Sequence, residues 1–226
     1  MRFGAILAAR SDSTRLPGKA LLPLLGLPIV VLIVRRIRTS RLLSDFVFAT
    51  TDRQVDDELA AVVAAEGVKV FRGAAEDVLH RFVEAAKMMD CDRCVRISGD
   101  CPFIGGPTLD LVLERCSEEV ESDLVTTKPA FPNGIDYEIY PKAVLEKIDA
   151  LELTAEEREH ILNYIVNNPE QHLITRLVPP PELMCDRTIF LLDTDEDFKG
   201  MTSLTRGIDD IHVDPVDLIR RHLSAS

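Results

Sequence analysis

The chain reads as an α/β protein built on a largely parallel sheet that is buried on both faces, and three observations carry that reading. Short β-branched or aromatic runs alternate with longer stretches of helical period through the first half, which is the rhythm of βαβ units. The helical stretches carry apolar stripes at i, i+3, i+4, i+7 spacing. With 226 residues, 46% of them hydrophobic, a compact domain of this length buries roughly 70% of its unfolded surface and needs no staple. One domain covering residues 1–226 is therefore expected.

Taken in order, the predicted strands are residues 2–9, 46–51, 68–71, 93–98 and 123–127. One helix between them presents Val55, Leu59, Val62 and Val63, and another presents Leu109, Val112, Leu113, Cys116 and Val120. Pro28 and Pro107 sit where first-turn prolines belong, and Gly67 stands where a helix C-terminus needs a left-handed residue. Near residue 128 the rhythm changes. A turn-rich connection, Lys128-Pro-Ala-Phe-Pro-Asn-Gly, leads into the alternating Ile135-Asp-Tyr-Glu-Ile-Tyr and then an acidic helix over about 154–167. This stretch, about 128–180, reads as a small inserted lobe. A strand over 188–192 and helices at about 196–206 and 215–224 close the chain.

Composition excludes several classes. Lys and Arg number 26 against 38 Asp and Glu, a formal charge of −12, so electrostatics disfavour a general nucleic-acid or anionic-membrane binder. The most apolar run, residues 21–34, is interrupted by Pro23, Gly26 and Pro28 and falls short of the roughly 20 residues a membrane span requires. Five cysteines at irregular spacing, Cys91, Cys94, Cys101, Cys116 and Cys185, do not form a secreted disulfide framework, and a cytoplasmic location is expected. Cys91 and Cys94 have zinc-ligand spacing but lack a second pair.

Two segments carry chemistry. Arg10-Ser-Asp-Ser-Thr-Arg-Leu-Pro-Gly-Lys19 follows the first strand, where three cations and several hydroxyls beyond a strand's carboxyl end form an anion cradle. Arg brings a planar fork for phosphate oxygens and Lys a mobile point charge. Neither G-x-x-x-x-G-K-[ST] nor G-x-G-x-x-G is present, which argues against a P-loop NTPase or a Rossmann dehydrogenase. The second segment, Arg96-Ile-Ser-Gly-Asp-Cys-Pro102, ends a strand on Asp100, which faces the same crevice and suits Mg²⁺ as a hard oxygen ligand. Read alone, Asp100 equally fits a turn or helix cap before Pro102.

Together STRLPGK and GDCP make the chain resemble the nucleotidyltransferases that form CMP-sugars, the family of the CMP-3-deoxyoctulosonate and acylneuraminate cytidylyltransferases. The likeness is greatest to the spore-coat polysaccharide cytidylyltransferases of the SpsF type, through Ala49-Thr-Thr-Asp52, Arg72-Gly-Ala-Ala-Glu-Asp-Val-Leu-His-Arg81, Asn133-Gly-Ile-Asp-Tyr-Glu138 and Glu157-Arg-Glu-His160. The resemblance implies a Rossmann-like, GT-A-like nucleotidyltransferase fold, with a mixed, mainly parallel sheet flanked by helices. It also implies CTP and a sugar-acid-type acceptor as substrates, Mg²⁺ as cofactor and a homodimer paired through the inserted lobe.

Carried over residue by residue, the resemblance makes Arg15, Lys19 and Asp100 catalytic. It places these three along the nucleotide together with Ala8, Ala9, Arg10, Ser13, Thr14, Thr50, Thr51, Asp52, Arg72, Gly73, Asp77, Val78, Arg81, Ser98 and Gly99. It assigns the metal to Asp100 and Asp193, with Asp195 and Asp197 as alternatives to the latter, and the acceptor to Asp136, Glu138, Arg158 and His160. The residues themselves leave plainer readings open. Thr194 or Asp195 can cap the following helix, and Val78, Phe82 and Ala85 make 78–85 an amphipathic helix whose charges face water. Asp136 and Glu138 can form the wet face of a strand.

Overall fold

The computed structural model describes residues 1–185 and 189–225. Nine strands are present among them: β1 (Phe3–Ala8), β2 (Pro23–Leu24), β3 (Leu27–Pro28), β4 (Leu43–Thr51), β5 (Lys69–Gly73), β6 (Arg93–Ser98), β7 (Leu124–Thr126), β8 (Glu138–Pro141) and β9 (Ile174–Arg176). The helices are α1 (Ile29–Ile37), α2 (Asp57–Ala65), α3 (Val78–Lys87), α4 (Gly106–Cys116), α5 (Lys142–Asp149), α6 (Ala155–Glu159), α7 (Ile161–Asn167), α8 (Asp195–Leu204) and α9 (Pro215–Ala225). Seven strands form one sheet in the order β5-β4-β1-β6-β8-β7-β9, and β2 with β3 makes a small separate hairpin.

The sheet is mixed and mainly parallel. Strands β5, β4, β1 and β6 run in one direction, β8 lies antiparallel between β6 and β7, and β9 pairs parallel with β7. Side chains alternate across the central strands as their period of two requires. Phe3, Ala5 and Leu7 of β1 join Val95 and Ile97 of β6 in a core packed by α1, α2, α4, α8 and α9. Ile6 and Cys94 face the other way into a core packed by α3, α5 and α7. Burial on both faces is thus borne out, and the parallel strands bring the carboxyl ends of β1, β4 and β6 to one edge.

The segment 128–180 does not stand apart from this sheet. Its strand β8 is inserted between β6 and β7, and β9 extends the edge. Several local expectations need correction. The strand begins at Glu138, so Ile135 to Tyr137 approach it as an irregular segment, although Ile135 and Tyr137 are buried as their alternation implies. The acidic helix is two helices broken at His160, whose backbone leaves the helical region. Residues 189–192 form no strand, and Thr188 lies outside the described residues. Val55 and Val120 fall beyond the ends of α2 and α4, and both are exposed.

Buried charge ties these layers together. Arg36 of α1 donates to the carbonyls of Phe103 (2.9 Å), Ile211 (2.8 Å) and Val213 (3.0 Å), joining the helix to the loop after β6 and to the approach to α9. Burial pulls its guanidinium down to about 10, against the pull of Asp210 and Asp214 in the opposite direction. Arg96 of β6 and Glu138 of β8 are cross-strand partners, with Nη1 of the arginine 3.1 and 3.2 Å from the two carboxylate oxygens. Lys128 (2.8 Å) and the Tyr140 hydroxyl (2.6 Å) donate to the same carboxylate. Burial alone would raise the Glu138 carboxyl, but Arg96 and Lys128 overcome it and hold it down at about 2.

Two outcomes follow. Arg36→Met keeps the aliphatic stem and strips three carbonyls of their donor, so denaturant unfolding is expected to show a loss of about 3 kcal/mol. Glu138 has a depressed folded pKa, so its contribution is present above the free value of about 4.3 and is lost as pH falls towards 2. Unfolding midpoints measured across that window should fall more steeply for the parent protein than for Glu138→Gln.

Candidate active site

The loop after β1 is shaped by backbone constraints. Gly18 adopts φ 70°, the left-handed region open to glycine, and its N–H closes the loop on the Ser11 carbonyl at 2.7 Å. The turn delivers Lys19 into the crevice. Asp56, wholly buried before α2, accepts from the Ser11 amide (2.6 Å) and from the Thr51 hydroxyl, fastening the loop to the end of β4. Asp12, the unexpected negative charge in this basic loop, pairs with Arg53 at 2.7 Å and with Arg10 at 3.5 Å. On the neighbouring strand, the Gly99 amide donates to the Ala8 carbonyl at 2.8 Å, and a Cβ at Gly99 would overlap that of Ala9.

At the centre lies the Lys19 ammonium. It is 2.9 Å from Asp100 Oδ2, 2.9 Å from the Leu192 carbonyl and 3.5 Å from Asp193 Oδ1. Arg15 reaches the other oxygen of Asp193 at 2.7 Å. Burial works against ionisation of Asp100, but Lys19 and hydrogen bonds from Ser98, Lys19 and Cys101 outweigh it and hold the carboxyl below its usual range. The acidic run Asp193-Thr-Asp-Glu-Asp197 divides its work. Thr194 caps α8, and Asp197 closes the capping box and also accepts from the Asp193 amide, which leaves the Asp193 carboxylate turned to Lys19 and Arg15. Asp100 and Asp193 bring two hard carboxylates to this point, a donor type that suits a hard divalent cation. Among the described residues no cluster of three or more acidic, histidine or cysteine side chains is placed to hold a metal alone.

Two cavities meet at Asp100. The first, about 320 Å³, is lined by the predicted Ala8, Ala9, Arg10, Ser13, Thr14, Arg15, Lys19, Val78, Arg81, Ser98, Gly99, Asp100, His160 and Asp193. Arg81 is 6% exposed, donates to the carbonyls of Ala74 and Ala75, and keeps its Nε buried without a hydrogen-bond partner among the described residues. The second cavity, about 280 Å³, contains Asp136 and Glu138 and shares Arg96, Ser98 and Asp100 with the first.

Other predicted site residues lie outside both linings. Thr50 and Thr51 are buried in β4, and the Asp52 amide bonds to the Gly73 carbonyl. Arg72 is held by the carbonyls of Thr51 and Arg53 and by Asp57. Asp77 caps α3 and pairs with Arg158 at 2.9 Å, and Arg158 also pairs with Asp149 at 3.0 Å, so this ion cluster joins α3 to the end of α5. Sequence reasoning passed over Arg96, Lys128 and Asp56. Arg96 had a signal, since it alternates with Ser98 on one strand face. Lys128 and Asp56 had none, because their roles depend on which strands become neighbours.

The sequence model of the Cytidylyltransferase family matches residues 4–177. The spore coat polysaccharide biosynthesis protein SpsF of Bacillus subtilis is 32% identical over 204 residues, covering 88% of this chain and 84% of that protein. A cytidylyltransferase structure from Leptospira borgpetersenii superposes with a TM-score of 0.91 at 32% identity, covering 100% of this chain and 95% of its own. A CMP:2-keto-3-deoxy-manno-octonic acid synthetase complexed with CTP shares the fold, with a TM-score of 0.69 at 19% identity over 91% of this chain and 98% of that one. With a family match over most of its length and relatives aligned almost end to end, the chain belongs to the cytidylyltransferase family.

Proposed function

We propose that the protein transfers CMP from CTP to a hydroxyl of a sugar acid or related acceptor, releasing pyrophosphate, in the synthesis of a surface glycan precursor. The observation that carries this reading is the pair of cavities joined at Asp100, one cationic and floored by the loop after β1, the other lined by polar groups of the 128–138 segment. The triphosphate belongs with Arg10, Arg15 and Lys19, whose charges oppose those of its oxygens and of the departing pyrophosphate. The acceptor belongs in the second cavity beside Asp136 and Glu138, with His160 at the rim of the first.

Little covalent chemistry falls to the protein in such a transfer, so its share is positioning and charge stabilisation. Lys19 is held between Asp100 and Asp193 and is preorganised there before substrate arrives. Asp100 and Asp193 would hold Mg²⁺, which when bound neutralises phosphate oxygens and assists ionisation of the attacking hydroxyl. The low Asp100 pKa keeps that ligand charged across the physiological range. No helix among the described residues is long and apolar enough to cross a membrane; a cytoplasmic location belongs to this proposal. A homodimer paired through segment 128–180 belongs to the same proposal.

Pyrophosphate release with Mg²⁺, each of the four NTPs and a panel of ulosonic and other sugar acids tests the reading. Release with CTP alone is the expected result. Release only with UTP or GTP would move the protein to another branch of nucleotidyltransferases, and failure to bind CTP would overturn the proposal. With a competent acceptor in hand, Asp100→Ala and Lys19→Ala should each lower turnover by about 10²- to 10³-fold, the size of one lost electrostatic stabiliser. Near-normal turnover in both variants would remove them from the catalytic machinery.

A further inference from the structure

Arg96 is the cation that the two cavities share. It lies on β6 two residues before Ser98 and four before Asp100, and these three residues form the common wall. The place where a nucleotide in the first cavity and an acceptor in the second come closest is along that wall. In a CMP transfer this is the α-phosphate.

Its guanidinium is also preorganised. Both contacts to Glu138 use Nη1, so the three N–H donors on Nε and Nη2 are not taken up by that carboxylate. Glu138 is itself fixed by Lys128 and Tyr140 and cannot swing away. Lys128, the second cation of the acceptor cavity, is occupied by Glu138 at 2.8 Å and by Asp136 at 3.1 Å. Lys19 is engaged by two carboxylates and Arg15 by one. Arg96 is therefore the cation at the junction with donors to spare, on a strand that holds it in place.

Resting on the reading of the site as CTP-dependent, we propose that Arg96 is a catalytic residue that binds the non-bridging oxygens of the nucleotide's α-phosphate. As the acceptor oxygen attacks, a new P–O bond forms at the α-phosphorus, and the bond to the bridging oxygen breaks with its electron pair leaving on pyrophosphate. The hydroxyl proton passes to water in the open cavity. Charge on the equatorial oxygens is met by the Arg96 fork, and Glu138, Lys128 and Tyr140 act through it as positioning residues.

Binding isolates this role without an acceptor. Calorimetry with CTP, CMP and cytidine should show that Arg96→Met weakens CMP by about 10- to 100-fold, the range for a lost charged hydrogen bond, while cytidine stays within about twofold. The parent protein should also discriminate between the two α-thio diastereomers of CTP, and the variant should not. Because Arg96→Met leaves Glu138 buried with Lys128 as its one remaining cation beside the Tyr140 hydroxyl, the double variant Arg96→Met/Glu138→Gln is measured in parallel, with cytidine binding reporting an intact pocket. Unchanged CMP affinity with diastereomer preference retained, in whichever variant still binds cytidine, would make Arg96 a wall residue and overturn the assignment. Loss of cytidine binding in both variants would overturn it equally, by making Arg96 a determinant of the fold. Absence of CTP binding in the parent protein would instead defeat the underlying reading of the site.

Discussion

The Lys19 ammonium between Asp100 and Asp193 is the interaction on which this architecture turns. The cation and its partners come from parts of the chain far apart in sequence: Lys19 from the loop after β1, Asp100 from the end of β6, and Leu192 and Asp193 from the approach to α8. Two carboxylates brought together at a sheet edge repel each other, and the cation converts that cost into a closed contact. The backbone reinforces it, since the Leu192 amide donates to the Asp100 carbonyl and the Leu192 carbonyl accepts from Lys19. The crevice is thereby assembled before any substrate enters.

Around this point the molecule separates its charges by purpose. Arg36 and Arg93 lie deep in the fold and bond to loop carbonyls, where a guanidinium fork satisfies several acceptors at once. Arg158 with Asp77 and Asp149 fastens helices. The cations of the loop after β1 stay at the crevice, and Arg96 stands between the two cavities with Glu138 at its back. In an acidic protein of net charge −12, a local excess of positive charge around the first cavity is a placement achieved by folding.

Much of the fold was present in local pattern. The β6 boundaries, the double-sided burial, the stripe Leu109, Val112, Leu113 and Cys116, and the left-handed Gly67 after α2 follow from periodicity and backbone preference. The failures have a common cause. Val55 extended a stripe ahead of the first turn of α2 and Val120 extended one past the last turn of α4, and both are exposed. The single helix over 154–167 broke at His160, and apolar residues 189–192 pack against the core without pairing as a strand. Local propensity does not reveal whether a neighbouring strand is available.

The sequence by itself determined the alternation of strands and helices, the position of the basic loop at a strand's end, and the family likeness through STRLPGK and GDCP, because these depend on residues close together along the chain. Tertiary structure decided which of three acidic residues faces Lys19, that Arg72, Asp77 and Arg158 form ion pairs outside the cavities, and that Arg96 and Lys128 line the second cavity. Those outcomes depend on β8 entering antiparallel beside β6 and on the 190s returning to β6. A charge acquires its role from the groups it faces, and only the closed sheet brings those groups within reach.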